Sequence, residues 1–212
     1  MKKFLLILIS LFLVSCASSK FESQFSPVYV TNTSKFAILP PSAMSGKIDG
    51  IQNLSANFGK MQVNSPVYVI SDSEQLSMTI FNEFGTTMAN LVYDGTTIDF
   101  DSTVFPKQLK PEYIVADFQF CLYDAGELKS SLKKIGVDFE ESIACPANDE
   151  SGTVITRTLS KKGKIISKIT KIYEKSSDSA NSVDTATEVE RLKSIKYENI
   201  LRGYIYELES EM

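Results

Sequence analysis

Leu91-Val92-Tyr93-Asp94-Gly95-Thr96-Thr97-Ile98 decides the fold class. Asp-Gly between two β-prone runs is a strong short-range hairpin signal, because both positions of a tight turn favour positive φ. Upstream, Leu76, Met78 and Ile80 alternate with Ser77, Thr79 and Phe81. Downstream, Lys161-Lys162-Gly163-Lys164 joins residues 154–160 to residues 165–173 in the same manner. At the C-terminal end Tyr204, Tyr206 and Leu208 alternate with Ile205, Glu207 and Glu209. A period of two with one polar face marks half-buried strands, and short hairpin connections make the sheet antiparallel and meandering.

Helical signal is confined to the middle of the chain. Pro111 suits a first helical turn, and Ile114, Phe118, Cys121 and Leu122 recur at i, i+4, i+7 and i+8. The same stretch also alternates as Ile114, Ala116, Phe118, Phe120 and Leu122, so a strand fits it as well. Asp124 and Glu127 have capping-box spacing ahead of Leu128, Leu132 and Ile135, and Gly136 is a natural stop. The expected class is α+β, with many antiparallel strands and about two helices packed on one face.

Composition narrows the function. The chain has 212 residues, 22 Lys plus Arg, 26 Asp plus Glu and no His, for a net charge of -4. Without histidine there is no Ser-His-Asp or Cys-His triad and no His metal ligand. An acidic balance without a basic stripe excludes ordinary nucleic-acid binding, which rests on phosphate neutralisation. The length suits one domain.

The first residues read as a leader. Met1-Lys2-Lys3 is a short positive region, and residues 4–14 are apolar apart from Ser10. That run is too short to span a bilayer core of about 30 Å and has the length of a secretory h-region. Leu13-Val14-Ser15-Cys16 then resembles a bacterial lipobox, which implies cleavage before Cys16 and a diacylglyceryl group on its thiol. Several acyl chains, at about 0.8 kcal/mol per buried methylene, make a near-permanent anchor. Ala17, where inner-membrane retention typically uses Asp, points to the outer membrane. The expected organisation is a signal peptide over residues 1–15, a Ser-, Thr- and Asn-rich flexible tether over 16–35, and one domain over 36–212. Residues 174–187 are polar and acidic and read as a long surface loop between two strands.

Four stretches, in order, resemble an uncharacterised family of bacterial outer-membrane lipoproteins, a domain of unknown function often encoded beside aryl-polyene biosynthesis genes. They are Leu39-Pro40-Pro41; Phe84-Gly85-Thr86 with residues 91–95; residues 111–120, running from Pro111-Glu112-Tyr113 to Phe120; and residues 201–208, from Leu201-Arg202-Gly203 to Leu208. That domain is similar to the lipoprotein carrier and receptor superfamily. The resemblance implies a curved antiparallel half-barrel covered on its concave face by helices over an apolar cavity. On that architecture Phe118, Phe120, Tyr204 and Tyr206 are the candidate cavity lining, with a filled core as the alternative. Two departures stand out: Tyr123-Asp124 replaces the family's aromatic-Pro pair, and residues 174–187 look like an insertion.

Reactive residues are few. Cys121 and Cys145 either form a disulfide closing a loop of about 24 residues, in keeping with export to an oxidising compartment, or are two unrelated buried thiols. Two thiols without histidine make a metal site unexpected. Ser130 and Lys133 have Ser-x-x-Lys spacing but lack the companion motifs of penicillin-recognising enzymes. Asp99 with Asp101, and Glu140 with Glu141, read as solubilising charge. No catalytic residue, metal or cofactor is expected. The function expected is a non-catalytic lipoprotein, anchored to the outer membrane through Cys16 and facing the periplasm. It would bind or hand on a hydrophobic ligand (a lipid, an acyl chain or a polyene lipid), with a periplasmic carrier protein as a further partner and no nucleic acid. The alternative is a structural lipoprotein that docks a protein partner through its sheet.

Overall fold

The computed structural model describes residues 24–145, 152–175 and 190–210. The signal peptide, Cys16 and most of the 174–187 segment lie outside the described residues. The fold is mostly antiparallel β, with two helices. A short hairpin pairs β1 (Val28–Tyr29) with β2 (Lys35–Phe36). Then follow β3 (Ile48–Phe58), β4 (Met61–Ser71), β5 (Leu76–Phe81), β6 (Thr87–Tyr93) and β7 (Ile98–Ser102). Helices α1 (Pro111–Leu122) and α2 (Ala125–Lys134) come next. The chain ends with β8 (Asp138–Ala144), β9 (Val154–Lys161), β10 (Lys164–Lys175), β11 (Glu190–Asn199) and β12 (Tyr204–Ser210).

Ten strands form one sheet in the order β7-β6-β5-β4-β3-β12-β11-β10-β9-β8. It consists of two meanders joined where β12 pairs with β3. Its edges, β7 and β8, are consecutive in sequence and linked by the two helices, so the chain leaves one edge and re-enters at the other. The link crosses the apolar face, where Leu54, Val69, Met78, Leu91, Leu159, Ile169 and Tyr206 are buried. Helix α1 touches β10 and β11 and also β7. Seven strand spacings separate β7 from β10, about 34 Å if flat at ~4.8 Å each, whereas a helix of 12 residues is about 18 Å long. The sheet must therefore curl around α1. It does not close, because among the described residues β7 and β8 do not pair.

The hairpin signals hold, with one change of mechanism. Lys162 and Gly163 both have positive φ, 51° and 74°, and join β9 to β10 as a two-residue turn. The 94–97 connection is instead four residues long, because Tyr93 pairs with Ile98 and only Gly95 has positive φ. Asp94 acts there through its carboxylate, which accepts from the backbone N–H groups of Thr96 and Thr97 at 2.7 and 2.6 Å. These bonds hold it well below the usual carboxylate range. Gly95 is required for a second reason: a Cβ there would lie 2.9 Å from Pro41 Cδ.

The ambiguous stretch is helical, with Pro111 opening α1. Asp124 caps α2 by accepting from Gly126 and Glu127 N–H groups at 2.8 and 3.0 Å. At the other end Val137 and Gly136 donate to the Leu132 and Lys133 carbonyls, a Schellman closure. Leu128 and Leu132 face β8 and are fully buried.

One boundary differs from expectation. Residues 24–35 are not tether, because Val28 and Val30 are 3% and 6% exposed and belong to the core. The apolar alternation Val28, Val30 is short, and the surrounding Ser, Thr and Asn residues mask it. The described end of β10 likewise takes in Glu174 and Lys175, assigned from sequence to the loop.

Candidate functional site

All four sequence stretches meet at α1. The Gln119 side chain donates to the Leu39 carbonyl at 2.7 Å and accepts from the Leu39 N–H at 2.9 Å. The Tyr93 hydroxyl donates to the same carbonyl at 2.7 Å. Pro41 seats against Gly95. These contacts fix α1 on one side. Arg157 fixes its C-terminal end by donating to the Phe120 and Cys121 carbonyls at 3.0 Å each, where the helix dipole is negative. Its Nε pairs with Glu141 at 2.6 Å. Lys171, also buried, is brought down to about 8 by burial and then by the Arg157 charge.

The opposite side of α1 borders a cavity of about 530 Å³, within the ~300–1,000 Å³ range of small-molecule sites. Its walls are Leu54, Ala56 and Phe58 of β3, Met78 of β5, Phe118 of α1, and Tyr204 and Tyr206 of β12. Phe118 stacks on Tyr206 at 6.2 Å between ring centroids, and Tyr206 stacks on Tyr197 at 5.1 Å. Ser26, Pro27 and Tyr29 form another side, held by Tyr113, whose hydroxyl accepts from the Tyr29 N–H at 3.3 Å. Arg202 donates to the Tyr29 carbonyl and lies 5.3 Å above the Tyr113 ring. Exposed Gln108, Lys110 and Arg202 form the rim, so the cavity reaches solvent.

Of the four lining candidates, Phe118, Tyr204 and Tyr206 line the cavity. Phe120 does not. Two residues apart on a helix is a rotation of about 200°, so Phe120 faces away from Phe118 and packs on Phe36 at 5.0 Å. On a strand both rings would have shared a face.

Asp117 is the polar residue that the sequence reading missed. Its carboxylate accepts from the Tyr204 hydroxyl at 2.6 Å, and the Tyr197 hydroxyl also donates to it. Tyr204 in turn accepts from Asn199 Nδ2 at 3.0 Å. Burial pushes Asp117 up to about 7, against the pull of both hydroxyls and of Arg202. It is packed around closely, and the surface it retains lies on the cavity wall. Burial, followed by the Asp117 charge, raises Tyr204 and Tyr197 above the usual phenol range. The available signal was an acidic residue between Ala116 and Phe118, in a run with no other charge from Ile114 to Leu122.

Of the two alternatives for Cys121 and Cys145, a disulfide or unrelated thiols, the structure has two free thiols. Cys121 is buried with its sulfur 3.5 Å from the Tyr206 hydroxyl, and burial pushes the thiol up to about 12. Cys145 is exposed, just past the end of β8. Ser130 and Lys133 project from the exposed face of α2, away from any cavity wall. Among the described residues no three His, Cys, Asp or Glu side chains cluster as metal ligands, and no helix is long and apolar enough to cross a membrane.

A comparison with curated proteins finds no match. The model of a family described as "Protein of unknown function (DUF3261)" matches residues 49–210, from β3 through both helices to β12, and the chain belongs to that family.

Proposed function

We propose that this protein is a non-catalytic lipoprotein, anchored to the bacterial outer membrane through Cys16, that holds a hydrophobic ligand in the cavity beneath α1 and passes it on in the periplasm. The observation that carries the reading is the cavity itself: about 530 Å³ walled by Leu54, Ala56, Phe58, Met78, Phe118 and Tyr206. A filled core would have favoured docking of a protein partner through the sheet. The open, curled sheet with helices across its apolar face is consistent with the half-barrel of the lipoprotein carrier and receptor superfamily. Transfer requires only that affinity differ between conformations or between carrier and receptor.

Native purification followed by lipid extraction and mass spectrometry tests the binding. A co-purifying lipid is the expected result. Absence of bound lipid, together with failure to bind added amphiphiles, refutes it. Cys16→Ala tests the anchor: acyl labelling should vanish, and labelling that persists refutes the lipobox reading.

A further inference from the structure

The cavity is walled mostly by carbon, with the Asp117 carboxyl set into it inside a rim that carries Lys110, Glu112 and Arg202. Asp117 directly precedes Phe118 on α1 and is hydrogen-bonded to Tyr204 of β12 and Tyr197 of β11. The groups around it are Tyr197 on β11, Tyr204 and Tyr206 on β12, Arg202 in the turn between those strands, and Cys121 on its own helix. Two of them, Tyr204 and Tyr197, donate hydrogen bonds to it. A carboxylate accepts at about four lone-pair positions, so acceptor capacity remains on the wall. The Arg202 guanidinium does not fill it, being engaged by the Tyr29 carbonyl and the Tyr113 ring. At the rim Lys110 is offset by Glu112. A ligand lying in this cavity therefore meets apolar surface along its length and, inside the rim, the Asp117 carboxyl.

We infer that Asp117 is the polar anchor of the cavity and selects amphiphiles whose head group donates hydrogen bonds, a protonated amine best of all, over anionic ones. This rests on the ligand-holding reading above. An ammonium gains a charge-assisted hydrogen bond to the carboxylate. An alcohol gains a neutral one. A fatty carboxylate either sits against a like charge or forces Asp117 to take up a proton, and both weaken binding.

The test uses three probes of equal chain length, dodecylamine, dodecanol and dodecanoate, displacing the uncharged fluorophore N-phenyl-1-naphthylamine from the full chain. Near neutral pH the amine is expected to displace at a concentration about tenfold below that of the carboxylate, with the alcohol between them. The amine's affinity should rise from about pH 5.5 to about pH 8 as Asp117 ionises, because the amine stays protonated throughout. Tyr197, Tyr204, Tyr206 and Cys121 are all held above that range and Arg202 stays charged; Lys171, brought down to about 8, titrates at its upper edge, and comparison with Asp117→Asn removes that shared contribution. In Asp117→Asn the amine preference should collapse while alcohol binding persists. The ranking in the unmodified protein needs no variant, so the test survives a variant that folds poorly. Equal binding of amine and carboxylate overturns the anchor and leaves the cavity reading standing. A fluorophore that finds no site overturns both.

Discussion

Asp117→Asn also perturbs stability in a way whose sign is unusual. In the folded protein Asp117 keeps its proton up to about pH 7, whereas the unfolded chain releases it near 3.8. Between those values the folded state binds a proton that the unfolded state has lost, so stability falls as pH rises, opposite to a salt-bridged carboxylate. The interval is about three pH decades; at ~1.36 kcal/mol each the whole loss is about 4 kcal/mol. Between pH 5 and pH 7.5 the two-state expression gives about 2 to 3 kcal/mol of it. Other shifted groups leave this window clean. Asp49, Asp72 and Asp94 are held below the usual carboxylate range, so their stabilisation is lost only in stronger acid. Lys171, at about 8, destabilises the folded state chiefly below that value, and its recovery runs upward from there.

The assay is urea unfolding followed by circular dichroism at several pH values from about 5 to about 7.5, for both proteins. The quantity read is the difference between the two profiles, which removes every group they share. The natural protein should lose about 2 to 3 kcal/mol relative to the variant across the window. Parallel profiles would show that Asp117 ionises in the folded state as it does in water, and the account of the cavity as a desolvated pocket would fall with it.

Four further outcomes follow from the packing. Gly95→Ala puts a Cβ 2.9 Å from Pro41 at a φ of 91°, and should cost about 1–3 kcal/mol in the urea midpoint; an unchanged midpoint would mean that the contact yields freely. Arg157→Met leaves Glu141 and the last carbonyls of α1 without their cation and should cost about 3–5 kcal/mol, whereas a loss below about 1 kcal/mol would deny Arg157 its capping role. Iodoacetamide should alkylate Cys145 in the native protein and Cys121 only after unfolding, read by peptide mass spectrometry; native labelling of Cys121 would contradict its burial. Ala56→Phe should intrude into the cavity and weaken N-phenyl-1-naphthylamine binding by about tenfold without loss of fold, and undiminished binding would place the fluorophore elsewhere.

What could be read from sequence was whatever local chemistry fixes. Lys162-Gly163 forces a turn wherever it occurs, and Asp124 with Gly136 bounds α2 without outside help. Helix α1 was ambiguous for a physical reason. Seven of its residues, from Val115 through Leu122, are buried, because the sheet covers one side and the 39–41 segment and Arg157 cover the others. A helix apolar nearly all round has little amphipathic period, and 3.6 and 2.0 then fit its residues about equally. The half-barrel resemblance put Phe120 on the cavity list beside Phe118, and the helical rotation between them separates the two. Asp117 escaped notice because its environment is assembled from Tyr197 and Tyr204, 80 and 87 positions away. Charge in a sequence reads as surface until the distant residues that bury it are known. The pairing of β12 with β3, which joins the halves, is equally non-local.

The first described residues belong to the cavity, which limits how far it can lie from the proposed anchor. Ser26, Pro27 and Tyr29 are wall, and Tyr29 is held from α1 by Tyr113 and from the β11–β12 turn by Arg202. Ser26 follows Cys16 by ten positions, and a chain advances at most about 3.6 Å per residue. With Cys16 acylated, the cavity wall stays within roughly 36 Å of the membrane surface, about one bilayer thickness. A domain on so short a lead can exchange ligand with its own membrane. Ferrying a ligand across a wider aqueous compartment would fall to an unanchored partner, and in the proposed function that is the place of a periplasmic carrier. The same geometry makes the wall the part of the cavity nearest the lead.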